Sequence, residues 1–342
     1  MRKRHLLIGA AIAAGVLLLP EQASQADAAF VVNFGTMAPA GTPWSDQLED
    51  IRDRVQKDSG GRIKVKLFLG GALGGELEMI KDVEGGDRLQ GGGFSTGAMG
   101  EALKVPELLM IELPYLFRDT TEADAVLDGV LYEPVSVALA KKNITFYAWA
   151  ENGWRNMGTK GDVAPTSPAI LAKYKMRSQE AAVHLDMWKS FGVQAVAKPT
   201  TEILPSLNTG IVDGYDNSPL FSLAGGLIEP ISHYTLTQHI YQPAAVVYSK
   251  KFVDKLPPDL QAVVMKDAKA EGVRGRKGVR ELEAELLATI EGMGKEVVRL
   301  DKEQVKVFRK ASQTVHKQFL ATNPAMVPTY TAVRAKLKEL RN

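Results

Sequence analysis

KMRSQEAAVHLDMWKSFGVQAVAKPTTEILPSLNTGIVDGYDNSP, residues 175–219, reads as two βα units side by side. A short extended segment ends on Arg177. An apolar-striped helix, a second strand and a second helix follow, and the run closes on Asp213-Gly214-Tyr215-Asp216-Asn217. Paired units of this kind aim both turn regions at one sheet edge. Arg177 is therefore expected as a fixed cation at the mouth of a cleft, with Asn217 as a neutral polar partner facing it.

The chain opens on an export signal. Arg2, Lys3 and Arg4 form a basic region, Leu6 to Leu19 an apolar one, Pro20 a break, and Ala26-Asp27-Ala28 a small-x-small cleavage site. Residues 1–28 are expected to be a removed signal peptide and the mature protein to reside in the periplasm. The apolar run falls short of the roughly 20 residues of a membrane span, so the mature chain is not expected to be membrane-embedded. The absence of cysteine excludes disulfides, thiol chemistry and a lipidated cysteine. What remains, 342 − 28 = 314 residues, suits two domains. The formal charge of +2 becomes +2 − 3 + 2 = +1 without the signal, which argues against nucleic acid as a partner.

Phe30 to Thr36 is a β-branched and aromatic run. Thr42-Pro43 is an N-cap and first-turn pair, and Trp44, Leu48, Ile51 and Val55 keep helical spacing until Ser59-Gly60-Gly61. Ile63 to Leu69 alternates as a strand, completing a βαβ unit. A glycine loop, Gly70 to Gly75, leads into a helix from Glu76 to Glu84, and Leu89 to Phe94 reads as a further short strand. A helical region from Thr121 to about Ala140 is broken near Gly129 or Pro134. Asn143 to Trp149 is a strand, with Glu151-Asn152-Gly153-Trp154-Arg155 as a polar-aromatic turn behind it. His233 to His239 and Ala244 to Ser249 form a pair of strand-like runs. No proline falls between Asp259 and Met293, so one long helix is expected there, bridging both domains. Two further helices, about 302–321 and 326–340, end the chain.

Chemistry-bearing patterns are few. Gly93-Phe94-Ser95-Thr96-Gly97 matches the nucleophile elbow G-x-S-x-G, which would make Ser95 the nucleophile of a hydrolase. No HGGG-type segment precedes it, and the plainer reading is a glycine-permitted turn whose backbone N–H groups face a ligand. His184, His233, His239 and His316 show no metal-ligand spacing, and His184, inside a predicted helix, reads as structural. No P-loop, dinucleotide fingerprint or H-E-x-x-H motif occurs, so neither cofactor nor metal is expected and catalysis is not required.

Seven pieces in order then carry a resemblance: APAGTPW at 38–44, SGGRIKVKLFLGGALGGELEMI at 59–80, LPYLFRD at 113–119, ENGWR at 151–155, KMR at 175–177, PTTEILPSLNTGIVDGYDNSP at 199–219, and LTQHIY at 236–241 leading to SKKFVDKLPPDLQ at 249–261. Over nearly all its mature length the chain resembles the extracytoplasmic solute-binding proteins of TRAP transporters, the DctP family. The resemblance implies an α/β fold of two periplasmic binding protein-like domains, joined by hinge strands and a long helix, closing over one small ligand. The expected domains are 29–150 with about 236–300, and 151–235 with helices 301–342 packing across. The implied partners are an organic carboxylate and the TRAP membrane permease subunits, with the protein itself a monomer.

The resemblance places Arg177 as the carboxylate-binding arginine, Arg155 as its assistant, and Asn217 as the asparagine of the D-G-x-x-N segment. A guanidinium matches a carboxylate with two parallel charge-assisted hydrogen bonds. Glu76, Phe94 and Ser95 are the expected contacts from the first domain. The rival role for Arg177 is a salt bridge with Glu180 or Asp186. Ser178-Gln179-Glu180 departs from the family pattern, and so does the glycine run 91–93, which is expected to leave space and widen the pocket. A larger or more apolar cargo would then meet Trp154, Phe94, Tyr215 and Phe221 as walls. Such a lipid-like receptor, a sensor of the same fold, and the Ser95 hydrolase are the alternatives.

Overall fold

The computed structural model describes residues 29–342. The predicted signal peptide, 1–28, lies outside the described residues. The strands are β1 (Phe30–Thr36), β2 (Ile63–Phe68), β3 (Gly91–Ser95), β4 (Ile144–Thr159), β5 (Lys175–Ser178), β6 (Gln194–Ala197), β7 (Gly214–Asn217), β8 (His233–Ser249) and β9 (Glu296–Arg299). The principal helices are α1 (Pro43–Asp58), α2 (Glu76–Gly85), α3 (Thr96–Leu103), α4 (Ala182–Ser190), α5 (Ala268–Gly292), α6 (Lys302–Thr322) and α7 (Val327–Arg341).

Local chemistry accounts for the first βαβ unit. Thr42 and Ser45 close a reciprocal capping box, Ser45 N–H donating to Thr42 Oγ1 at 3.3 Å and Thr42 N–H to Ser45 Oγ at 3.0 Å. Pro43 supplies a preset first turn, and Trp44, Leu48, Ile51 and Val55 bury one face against Val32 and Phe34 of β1. Gly60 and Gly61 end the helix at positive φ. β1 then pairs parallel with both β2 and β3.

Among the described residues the strands form one sheet in the order β2-β1-β3-β8-β4-β7-β5-β6, with β9 on β8. Its two halves are joined by two long antiparallel strands. β3 pairs with residues 244–248 of β8, whereas β7 pairs with residues 156–159 of β4. β4 and β8 thus begin in one half and end in the other. Their register shifts between Glu151 and Gly153 and again between Arg155 and Met157, at the crossing itself.

The expected turn at 151–155 is therefore the middle of a strand. Its polar residues are buried against partners on β7, β8 and α5 rather than wetted, and Gly153, at φ 102°, takes the irregularity of the bulge. The two expected runs at 233–239 and 244–249 are likewise one strand. Pro243 sits opposite Glu151 beside the bulge, a position that tolerates a missing donor.

The bridging helix is also interrupted. A helix from Pro258 to Met265 stops, Asp267 adopts φ 56°, and α5 then runs unbroken for 25 residues. Side chains from elsewhere satisfy the carbonyls that the break releases: Tyr147 O–H donates to Lys266 O at 2.7 Å and Arg54 Nη1 to Val263 O at 2.8 Å. α5 crosses both halves, packing on α1 and β4 and on the helix Pro219–Ala224 and β9. Gly272 and Gly275 permit this approach, because a Cβ on Gly275 would meet the Gln47 amide at 2.3 Å. Arg276 forks onto Asp128 at 3.0 and 2.6 Å, and Arg280 onto Asp124 at 2.7 and 2.8 Å.

The glycine run in β3 opens no space. A Cβ on Gly91 would stand 2.3 Å from the Phe34 ring, and one on Gly92 would stand 2.4 Å from both the Gly35 carbonyl and the Phe94 ring. The glycines are there because aromatic rings and backbone fill the room a side chain would take. None of the described helices is long and apolar enough to cross a membrane.

Candidate ligand-binding site

The crossing of β4 and β8, the C-terminal ends of β3, β5 and β7, and the start of α2 converge on one cavity. Glu76, Ser95 and Trp44 line it from the first half. Gln179, Thr200, Asn217 and Phe221 line it from the second, and Asn152, Arg155 and Gln242 from the crossing strands. Its volume is about 20 Å³, room for about one water. Small-molecule sites have roughly 300–1,000 Å³, so a solute of several carbons fits only when the halves move apart.

A continuous hydrogen-bond chain joins the walls. Ser95 N–H and O–H donate to Glu76 Oε1 and Oε2 at 2.6 and 2.9 Å. Gln179 Nε2 donates to Ser95 Oγ at 2.9 Å, and Gln242 Nε2 donates to Gln179 Oε1 at 2.7 Å and Glu112 Oε2 at 2.8 Å. Gln242 Oε1 accepts from Asn152 Nδ2 and Arg155 Nη1, both at 2.7 Å, while Asn152 Nδ2 also donates to Asn217 Oδ1 at 2.9 Å. The amides are held by one another, which fixes their orientation before any ligand arrives.

The two arginines are unlike. Arg155 is neutralised: Nε donates to Asp216 Oδ2 and Nη2 to Asp216 O, both at 2.6 Å. Burial acts to raise the Asp216 pKa, and Arg155 and His239 outweigh it and hold the carboxyl well below its usual range. Arg177, 1% exposed, gives Nε and Nη2 to Lys198 O at 2.9 and 2.7 Å and Nη2 to Thr200 Oγ1 at 3.3 Å. It stands one residue behind the cavity surface, bonded to Thr200, which lines it. Among the described residues no carboxylate lies within 4.0 Å of it, and Nη1 has no protein partner. Burial, with Arg155 nearby, pushes it down to about 10. The salt bridge to Glu180 or Asp186 does not form; Asp186 accepts from Gln318 instead, at 3.0 Å.

Two donors in the cavity lining, Asn217 Nδ2 and the buried Trp44 Nε1, and Arg177 Nη1 behind it have no protein partner among the described residues. Unpaired donors beside a cation without an ion-pair partner suit an anionic, oxygen-rich ligand. Glu76 supplies the opposite character. Burial pushes its carboxyl up to about 7, against the two Ser95 hydrogen bonds, so it can accept from or donate to a hydroxyl.

Of the residues expected at the site, Arg155, Asn217, Glu76 and Ser95 line the cavity and Arg177 backs it. Trp154, Tyr215 and Phe94 do not line it: Trp154 packs edge-on against Tyr241, Tyr215 beneath Gly158, and Phe94 against Gly92. Of the four proposed aromatic walls only Phe221 is one. Ser95 Oγ meets Glu76 and Gln179 and no histidine among the described residues. His184, as expected inside a helix, lies 2.6 Å from Glu112 through Nε2. Burial acts to raise Glu112, and His184 and Thr96 outweigh it. Sequence reasoning gives Gln179, Gln242, Asn152 and Trp44 no role at the site, and the departure at 178–180 is the one signal near Gln179.

Comparison with known proteins bears on this geometry. Residues 34–323 match the profile of DctP, bacterial extracellular solute-binding protein, family 7. The chain belongs to that family. A solute-binding protein of Verminephrobacter eiseniae is 34% identical across 80% of this chain and 79% of its own length. The 2,3-diketo-L-gulonate-binding periplasmic protein YiaO of Escherichia coli K12 is 29% identical across 72% and 74%. Among solved structures, a TRAP periplasmic solute-binding protein from Sulfitobacter sp. NAS-14.1 with bound β-D-galacturonate superposes with a TM-score of 0.83, at 28% identity over 89% of this chain and 99% of the other. The DctP family is one of solute receptors, and the two-lobed fold with a cleft between the halves is the one its solved members share.

Proposed function

We propose that this DctP-family protein captures a sugar acid, a carboxylate carrying several hydroxyls, in the periplasm and delivers it to a TRAP membrane permease. Arg177 carries the proposal: a buried guanidinium without a protein carboxylate at the edge of a cavity whose other groups are mostly neutral amides and hydroxyls. A buried cation left unpaired is costly, so a ligand that brings a carboxylate is favoured and a neutral one rejected. The amides of Asn152, Gln179, Asn217 and Gln242, with Ser95 and Glu76, match hydroxyls rather than a hydrocarbon chain. The ligands named for the Sulfitobacter and Escherichia coli relatives, galacturonate and 2,3-diketo-L-gulonate, are acids of this class.

β1 to β3 with residues 244–265 act as one body and β5 to β7 with β9 as the other, with 301–342 packing across. A solute that bonds both walls shifts the population toward a form closed around it, with the walls further apart than in the ligand-free arrangement. A thermal-shift panel of galacturonate, glucuronate, succinate and galactose tests the reading. The uronates are expected to raise the melting temperature and galactose to leave it unchanged; a shift with galactose equal to that with galacturonate would refute the carboxylate requirement.

A further inference from the structure

A second cavity, about 390 Å³, lies between α6, α7 and the loop before the helix Thr120–Ala125, and shares no lining residue with the cleft. Helical spacing explains its composition. Arg309, Gln313 and Lys317 recur every four residues on one face of α6, with His316 three beyond Gln313, and Tyr330 and Arg334 are four apart on α7.

The cavity gathers five cations and almost no compensation. Arg341 is paired, forking onto Glu122 with two contacts of 2.7 Å. Among the described residues Arg118, Arg309, Lys317 and Arg334 have no carboxylate within 4.0 Å. Like charges held together in a chain of nearly balanced net charge repel unless an anion joins them. The floor is fixed. Tyr115, at φ 53°, is tied by its N–H to His239 O at 2.7 Å, and the Arg309 guanidinium stacks 5.6 Å above its ring. His316 Nε2–H donates to Pro114 O at 2.8 Å, which leaves Nδ1 to accept from Tyr330 O–H at 2.9 Å. Burial holds this histidine below its ordinary pKa, so it adds shape and no charge.

We infer that this cavity is a second ligand site, for a compact polyvalent oxyanion such as a phosphate ester or a polycarboxylate. Its volume falls within the roughly 300–1,000 Å³ of small-molecule sites. Planar guanidinium forks match phosphate and carboxylate oxygens alike. A single carboxylate would leave most of the four uncompensated cations unmatched, which selects for two or more negative charges.

Calorimetry of the mature protein at low ionic strength, with inorganic pyrophosphate and separately with citrate, tests the site. One saturable equivalent per chain is expected, weakening as salt screens the exposed cations. Pyrophosphate alone binding assigns phosphate chemistry, and citrate alone assigns polycarboxylates. The double variant Arg309→Ser/Arg334→Ser should weaken the bound anion at least about tenfold, with Arg334→Gln alone as a milder surface change if the double variant loses helix. Arg177→Met should leave this equivalent in place. No saturable binding by the wild type, full affinity in the double variant, or loss in Arg177→Met would each overturn the assignment.

Discussion

Gln179 Nε2 donates to Ser95 Oγ at 2.9 Å, a bond between the end of β5 in one half of the sheet and the end of β3 in the other. It is one of the direct polar links between the halves, beside His184 Nε2 to Glu112 Oε2 at 2.6 Å, and Gln242 on the crossing strand orients it at 2.7 Å. Gln179→Ala should loosen this ligand-free closure by about the worth of one hydrogen bond, ~1 kcal/mol, and so strengthen ligand binding several-fold, because a solute must first part these walls. Small-angle scattering should then show a larger radius of gyration for the ligand-free variant than for wild type. Identical radii and affinities would show that the bond does not hold the halves together.

Glu76 gives a pH signature. Burial raises its pKa in the folded protein to about 7 from an ordinary 4.5, so the folded state binds the proton more tightly than the unfolded one. The stability this contributes is full below about 4.5 and lost as pH rises through 7, by about 1–3 kcal/mol. Glu76→Gln removes this titration and keeps the shape. Urea unfolding of both proteins at pH 5 and pH 8 should show the variant gaining on wild type at pH 8; a difference that does not change with pH would contradict the raised carboxyl.

The pair Arg155–Asp216 is a buried ion pair in the wall of the cavity, whereas Arg177, in the proposed reading, is kept for the ligand. Asp216→Ala leaves a buried guanidinium without its anion and should cost about 3–5 kcal/mol in urea unfolding. The double change Arg155→Met/Asp216→Leu should cost clearly less than the sum of the two single changes. A single Asp216→Ala that unfolds within 1 kcal/mol of wild type would remove the pair from the framework of the site.

How far the sequence reveals this arrangement depends on the range of the interactions. The cap at Thr42-Pro43, the stripe of α1, the βα pairs at 175–217 and the two final helices follow from local spacing and are found as read. Arg177 and Asn217 fall at strand ends, which the βα pattern places. The segment 151–155 reads as a turn because polar residues ordinarily face water; here each has a buried partner supplied by β7, β8 or α5. The break at Lys266–Asp267 has no proline to announce it, since Tyr147 and Arg54 create it from 119 and 209 residues away. Gln179 and Gln242 follow no period or motif. Their partners are 84 and 63 residues distant, and only the closed sheet brings them together.

In the proposed reading Arg177 is a cation without an ion-pair partner, kept for a ligand carboxylate. The most direct measurement is calorimetric titration of D-galacturonate into wild type and into Arg177→Met, with urea unfolding of both as a control on folding. A buried charge pair deprived of one member costs about 3–5 kcal/mol, so affinity should fall at least 100-fold while the variant's ligand-free stability stays within about 2 kcal/mol. Galacturonate binding to both proteins with equal affinity would contradict the account.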